Sequence, residues 1–277
     1  MAEALFLGIW IFMAAALGLL IGSFLNVCIY RLPARLTIVH GHSFCPNCKH
    51  DLGPLDLVPV FSYLLLGRRC RYCHEPISSR YMRVELLTGA YFALAAAVWR
   101  PGVFQTPAWL FNLTGLDGFA AEFEVALFLL AATALSFCGF LIWAMISWDE
   151  KDVPAGVFIF TAVPILLRLT MQPERALYHV AGLLLSVLAF SVMLLFRLLP
   201  ESSRRQQIVL GIALALLGLM AGLKAIQPVL LVLLLELLMI ALRTRRSDPA
   251  IEKQAGLLWR SMPLQALLIS SVLWLFL

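Results

Sequence analysis

Leu5-Phe-Leu-Gly-Ile-Trp-Ile-Phe-Met-Ala-Ala-Ala-Leu-Gly-Leu-Leu-Ile-Gly-Ser-Phe-Leu-Asn-Val-Cys28 runs without a charge. A helix of roughly 20 apolar residues crosses a bilayer core, and this run is long enough. It is too long for an ordinary signal peptide and lacks the small-residue cleavage site of one. It is therefore expected to stay as a helix. Similar runs follow at about 84–100, 124–146, 154–170, 177–197, 206–225, 228–243 and 258–277. The sequence predicts an all-α polytopic membrane protein with about eight transmembrane helices. The stretch 206–243 is nearly one run, interrupted by Lys224, Gln227 and Pro228. It reads as a tight helical hairpin.

Composition agrees. The 277 residues are 62% hydrophobic and only 13% charged, about half the charge of a soluble domain. Mean hydropathy is +0.91. A cytosolic globular enzyme, a disordered chain and a secreted disulfide scaffold are excluded. Lysine and arginine set the orientation. With the 31–83 loop in the cytoplasm, seventeen of them face inward, and Arg100, Arg168, Arg175 and Lys224 face outward. The net charge of +5 is thus spread over several inner loops beside membrane lipid. No nucleic-acid partner is expected.

The 31–83 loop is the only sizeable extramembrane segment. It holds Cys45-Pro-Asn-Cys48 and Cys70-Arg-Tyr-Cys73, with twenty-one residues between the pairs. Each turn can aim two thiolates at one ion, and two turns complete a tetrahedral site. A loop this small gains a staple from a bound ion. Structural zinc on Cys45, Cys48, Cys70 and Cys73 is the expectation. Four sulfur ligands leave no open position for water, which argues against a catalytic ion. A disulfide pair would suit an oxidising compartment rather than this one. His50 and His74 flank the cysteines and are expected to face solvent. Cys28 and Cys138 lie in apolar runs and read as buried small hydrophobes.

Gly22-Ser-Phe-Leu-Asn-Val-Cys-Ile-Tyr-Arg-Leu-Pro33 ends the first run. The two cysteine pairs follow, with Asp56-Leu-Val-Pro-Val-Phe-Ser-Tyr63 between them. Arg80-Tyr-Met-Arg-Val-Glu-Leu-Leu-Thr-Gly89 comes after. This order resembles the amino-terminal part of bacterial type IV prepilin peptidases, the A24 aspartic peptidases with leader peptidase and N-methyltransferase activities. The resemblance covers about residues 18–90. It implies an inner-membrane protein acting on prepilin or pseudopilin leader segments, with pilus, type II secretion or competence assembly proteins as further partners. S-adenosylmethionine would be the second cofactor if methylation is retained. The resemblance divides the chain into an amino-terminal region at 1–100 and a helical bundle at 101–277.

Enzymes of that family use two aspartates, one before a proline-containing turn and one in a GxGD motif. Two carboxylates sharing a proton can activate a water. Here the first region reads Met145-Ile-Ser-Trp-Asp-Glu-Lys-Asp-Val-Pro-Ala-Gly156. Anchored on Val153-Pro154, Ser147 stands in the place of the catalytic aspartate. Asp149 falls two positions later, and Asp152 has no clear counterpart. No GxGD occurs, and the corresponding junction offers Glu201. The catalytic candidates are therefore Asp149, Asp152 and Glu201, and the aspartic dyad reads as lost.

Each candidate has a plainer reading. Glu201 sits beside Arg204 and Arg205, which favour a loop ion pair. Asp149 and Asp152 read as parts of a solvated turn, with Asp152 placed to cap the helix after Pro154. Glu236 lies in an apolar run, about 10 Å from the inner helix end. It is either functional or a protonated carboxyl bonded to a neighbouring helix. Ser147 with Lys151 is a weaker nucleophile–base pair, because that amine should be protonated. His179 is expected at the outer interface. Two functions stay open: a leader-cleaving or methylating enzyme, and a non-catalytic scaffold or substrate-binding factor.

Overall fold

The structure, a computed structural model, describes residues 2–102, 118–195 and 204–244. Among these residues there is no β-strand, and two isolated bridges, Phe44–Asp51 and Arg69–Pro76, are the only extended pairings. Five described helices are long and apolar enough to cross a membrane: Glu3–Arg31, Ser79–Val98, Ala121–Trp148, Pro173–Leu195 and Gln207–Leu235. Ala155–Met171 is a shorter apolar helix. The chain is an all-α multi-pass membrane protein. The expected span at 258–277 lies outside the described residues. Residues 1–134 and 135–277 form two compact units.

The first unit is organised by α1 (Ala2–Arg31) and α3 (Ser79–Val98). A short α2 (Phe61–Leu65) lies in the loop between them. α1 is apolar all round, so its sequence alone does not choose a packing face. Small residues choose it. Ala14, Gly18, Gly22, Leu25 and Ile29 form a buried stripe at helical spacing, while Phe12, Met13, Leu17, Leu20 and Phe24 face outward. A Cβ at Gly18 would stand 2.8 Å from the Thr88 carbonyl oxygen, and one at Gly22 would stand 2.7 Å from the Glu85 Cα. The two backbones therefore meet along a Gly-x-x-x-Gly seam. At the far end the Trp10 indole donates to the Ala96 carbonyl at 2.9 Å. Ser78 caps α3 by accepting from the Arg80 N–H.

The second unit holds the rest of α4 (Gly118–Trp148), α5 (Ala155–Met171), α6 (Ala176–Leu195) and α7 (Arg204–Thr244). Gly182 on α6 and Gly218 on α7 approach so closely that a Cβ on either would stand 2.5 Å from the other's carbonyl oxygen. Two buried hydroxyls are satisfied locally. Thr161 donates to the Val157 carbonyl at 2.7 Å and Ser186 to that of Gly182 at 3.0 Å.

Two expectations are corrected in this unit. The 206–243 run does not turn at Lys224–Pro228. It stays helical through Pro228 and breaks at Gly222, whose φ of 76° only glycine adopts freely. The break frees carbonyls before it and N–H groups after it. Side chains meet these groups. His179 Nδ1 lies 3.0 Å from the Leu219 oxygen, Arg168 Nη1 donates to the Met220 oxygen at 3.4 Å, and Lys224 N–H donates to the Tyr178 hydroxyl at 2.7 Å. His179 itself is buried, 2% exposed. Asp152 does not cap α5 either. Pro154, with an extended backbone, is the N-cap residue, and no side-chain capping bond forms there.

Candidate functional site

The loop between α1 and α3 is built from two similar turns. Cys45 N–H donates to the His50 carbonyl and Lys49 N–H to that of Cys45, both at 2.9 Å. Twenty-five residues on, Cys70 N–H donates to the Glu75 carbonyl at 2.9 Å and His74 N–H to that of Cys70 at 3.0 Å. The residue after the second cysteine of each pair is left-handed, with φ of 62° at Lys49 and 59° at His74. Each turn thus aims both of its thiols to one side.

The four sulfurs meet. Sγ atoms of Cys45, Cys48, Cys70 and Cys73 all lie within 4.8 Å of one another. Cys45 and Cys73 are separated by 3.9 Å. A tetrahedron with metal–sulfur bonds of about 2.3 Å has edges of about 3.8 Å. The site therefore fits a four-thiolate metal centre, and among the described residues it is the one such cluster. Neither histidine joins it. His50 stacks on Tyr72 at 3.5 Å between ring centres, and His74 is exposed. The Cys73 thiol has an eased ionisation. The Glu75 backbone N–H, helped by the Asn47 amide, lowers it to about 7 against the opposing effect of burial.

Asp56 ties the linker to the second turn. Its carboxylate accepts from Arg71 Nε at 2.6 Å, from Tyr72 at 3.3 Å and from the Gly53 N–H at 3.1 Å. Burial alone would raise this carboxyl. The Arg71 hydrogen bond and charge, with the Gly53 N–H, hold it below the usual carboxylate range. Arg31, at the end of α1 and 8% exposed, ties down the other flank. Its guanidinium donates to the carbonyls of Thr37, His40 and His42 at 2.9 to 3.0 Å. Glu85, on the second turn of α3 and 8% exposed, accepts from the Val60 N–H at 2.8 Å. The loop is thus folded back onto both helices. Beneath the cysteines lies a partly open pocket of about 210 Å³ between the loop, α1 and α3.

The structure brings together all four expected metal ligands. Cys28 and Cys138 are buried, as read from the sequence. Asp149 and Asp152 lie in the turn between α4 and α5, Asp149 half-buried and Asp152 exposed, with Ser147 half-buried at the end of α4. Glu201 and the side chain of Glu236 lie outside the described residues. Sequence reasoning missed Arg31, Asp56 and Glu85 as structural contacts of the loop. The signal was present: each belongs to one of the three motifs that flank or separate the cysteine pairs.

Residues 16–99 match the family described as the Bacterial Peptidase A24 N-terminal domain. The chain is 53% identical over 76 residues to the prepilin leader peptidase/N-methyltransferase of Myxococcus xanthus (strain DK1622), covering 27% of this chain and 23% of that protein. It is 44% identical over 92 residues to the protein of the same name from Klebsiella pneumoniae, covering 31% and 40%. It is 36% identical over 123 residues to the type 4 prepilin-like proteins leader peptide-processing enzyme of Escherichia coli O78:H11, covering 36% and 46%. The chain thus matches less than half the length of each of these relatives. No solved structure matches.

Proposed function

We propose that this chain acts on type IV prepilin-like substrates at the bacterial inner membrane, with the 31–83 loop in the cytoplasm and zinc as the structural ion in it. The observation that carries this reading is the stapled loop. The part of the chain most similar to prepilin leader peptidase/N-methyltransferases forms a complete four-thiol centre anchored to two membrane helices. Zinc would hold the two turns together and supply no reactive water, because all four positions are sulfur.

Leader cleavage by an aspartate pair is the activity we propose to be lost. Ser147 stands where a carboxylate is needed, and no GxGD sequence occurs. A hydroxyl there cannot share a proton with a second acid as a carboxylate does. Asp149, Asp152 and Glu201 are the acids that a shifted dyad would use. N-methylation requires neither aspartate and is compatible with the retained amino-terminal region. S-adenosylmethionine would be its methyl donor.

The second reading is a non-catalytic scaffold or substrate-binding factor for pilus, type II secretion or competence assembly. Ser147 favours it. One experiment separates the two. The protein is co-expressed with a prepilin in a host lacking other prepilin peptidases, and the pilin amino terminus is read by mass spectrometry. An intact, unmethylated leader supports the scaffold. A methylated terminus on a supplied mature pilin supports a surviving transferase. A removed leader refutes the loss of proteolysis, and Asp149→Ala, Asp152→Ala and Glu201→Ala then locate the acids.

A further inference from the structure

The loop between α1 and α3 has a second face, turned away from the pocket. In and just after α2, Ser62, Tyr63 and Leu66 line the pocket. Phe61, Leu64 and Leu65 stand at i, i+3 and i+4, so they share another face of the same turn. They are 62%, 54% and 85% exposed. Three large apolar side chains together form a patch that water does not favour. Arg68 and Arg69 follow directly. Both are exposed, and neither makes an ion pair among the described residues.

The height of α2 along the helices decides what this face meets. Val60, the residue before α2, is bonded to Glu85. Glu85 lies six residues inside α3, about 9 Å along its axis. It also lies against Gly22, nine residues or about 13 Å inside the end of α1. Both helices are apolar enough to cross a membrane. The Glu85 side chain leans toward the start of α3, which puts Val60 beside the first turn of that helix. A purely aqueous loop would project past the helix ends. This one returns alongside them, to the depth where amphipathic segments lie between headgroups and acyl chains.

We propose that α2 is an interfacial anchor, with Phe61, Leu64 and Leu65 in the acyl boundary of the surrounding bilayer and Arg68 and Arg69 on its anionic phospholipid headgroups. Arginine suits this place, because its stem packs on apolar surface while its charge reaches the headgroups. A five-residue helix would hold a bilayer weakly by itself. Here α1 and α3 already keep it at the surface, so the contact is intramolecular in effect. The anchor sets the height of the cysteine-bearing loop over α1 and α3. It stands whether or not the chain processes pilins.

The test uses the full-length protein in nanodiscs of phosphatidylcholine with a minor share of phosphatidylglycerol. The photo-reactive residue p-benzoylphenylalanine replaces Phe61, Leu65 or, as a reference, Leu20, which faces outward on α1. After illumination, intact-mass spectrometry reads the fraction of protein that carries a phospholipid. Yields at Phe61 and Leu65 within about threefold of that at Leu20 are expected. Yields below that range at both positions overturn the proposal. A cross-linked dimer, or an adduct to another part of the chain, in place of lipid overturns it too, and assigns the face to a second copy or to this chain's own helices. The Leu65 adduct should also be enriched in phosphatidylglycerol about threefold over its share of the disc. Arg68→Gln with Arg69→Gln should abolish that enrichment, and Arg68→Lys with Arg69→Lys should keep it, both at unchanged metal content. No enrichment in the native sequence, or enrichment that survives the glutamine pair, overturns the headgroup assignment.

Discussion

The Glu85 carboxylate holds the Val60 N–H at 2.8 Å, and Val60 takes a φ of 64°. A β-branched residue is strained in the left-handed region. The bond from α3 is therefore set against the local preference of the loop, and it keeps α2 folded against the helices. Relief of the strain should be measurable. Val60→Gly is expected to stabilise the purified protein by about 1 kcal/mol, seen as a higher midpoint of thermal unfolding. Val60→Ala should not, because alanine keeps a Cβ. A lower midpoint for the glycine variant would contradict this account.

The helix seams predict opposite outcomes for neighbouring glycines. Gly22→Val places a side chain against the Glu85 backbone, where a Cβ alone would stand at 2.7 Å. It should cost about 1–3 kcal/mol or more through overpacking. Gly8→Ala meets nothing within 4 Å and should be neutral or slightly stabilising. Thermal unfolding of the two variants in one detergent checks the pair, and equal effects would refute the seam.

The metal centre predicts a stoichiometry and a pH dependence. Elemental analysis should find about one zinc ion per chain, falling to near none in Cys45→Ser or Cys70→Ser. Thiolates bind the ion and thiols do not, so acidification must release it. All four ligands must lose their protons, so affinity measured against a chelator should fall as pH is lowered. A pH-independent affinity would exclude thiolate ligation.

The Asp56–Arg71 pair makes a smaller, separate contribution. Arg71 is 48% exposed, so solvent screens the pair. Asp56→Asn should cost about 0.5–1 kcal/mol at neutral pH. The sign with pH follows from the depressed carboxyl. Its stabilising effect is complete above the ordinary carboxylate value and is lost as pH falls through the lower, folded-state value. The difference between native and Asp56→Asn proteins should therefore shrink as pH falls below the ordinary carboxylate value, as read from unfolding curves at neutral and acid pH.

The spans and the metal ligands were legible in the sequence because each depends on a local rule, apolar run length or CxxC spacing. Contacts across the chain were not. Lys224, Gln227 and Pro228 are stronger helix-breaking signals than Gly222. Yet the break falls at the glycine, where Tyr178, His179 and Arg168 wait on neighbouring helices. Nothing local announced the Leu219 carbonyl that His179 meets. Glu85 drew no separate reading within its motif, because its burial depends on how the loop folds back. Pro154, its own backbone extended, takes the N-cap position in place of Asp152.

The broken backbone at Gly222 has a mechanical meaning. An interruption inside a membrane helix usually works as a hinge, because its free carbonyls and N–H groups can exchange partners as the segments swing. Here side chains of α5 and α6 occupy those groups on both sides of the break. The joint is pinned. Bending it would strip a buried arginine, a buried histidine and a tyrosine of their partners at once. The residues on either side of Gly222 should therefore travel together with α5 and α6 as one rigid strut.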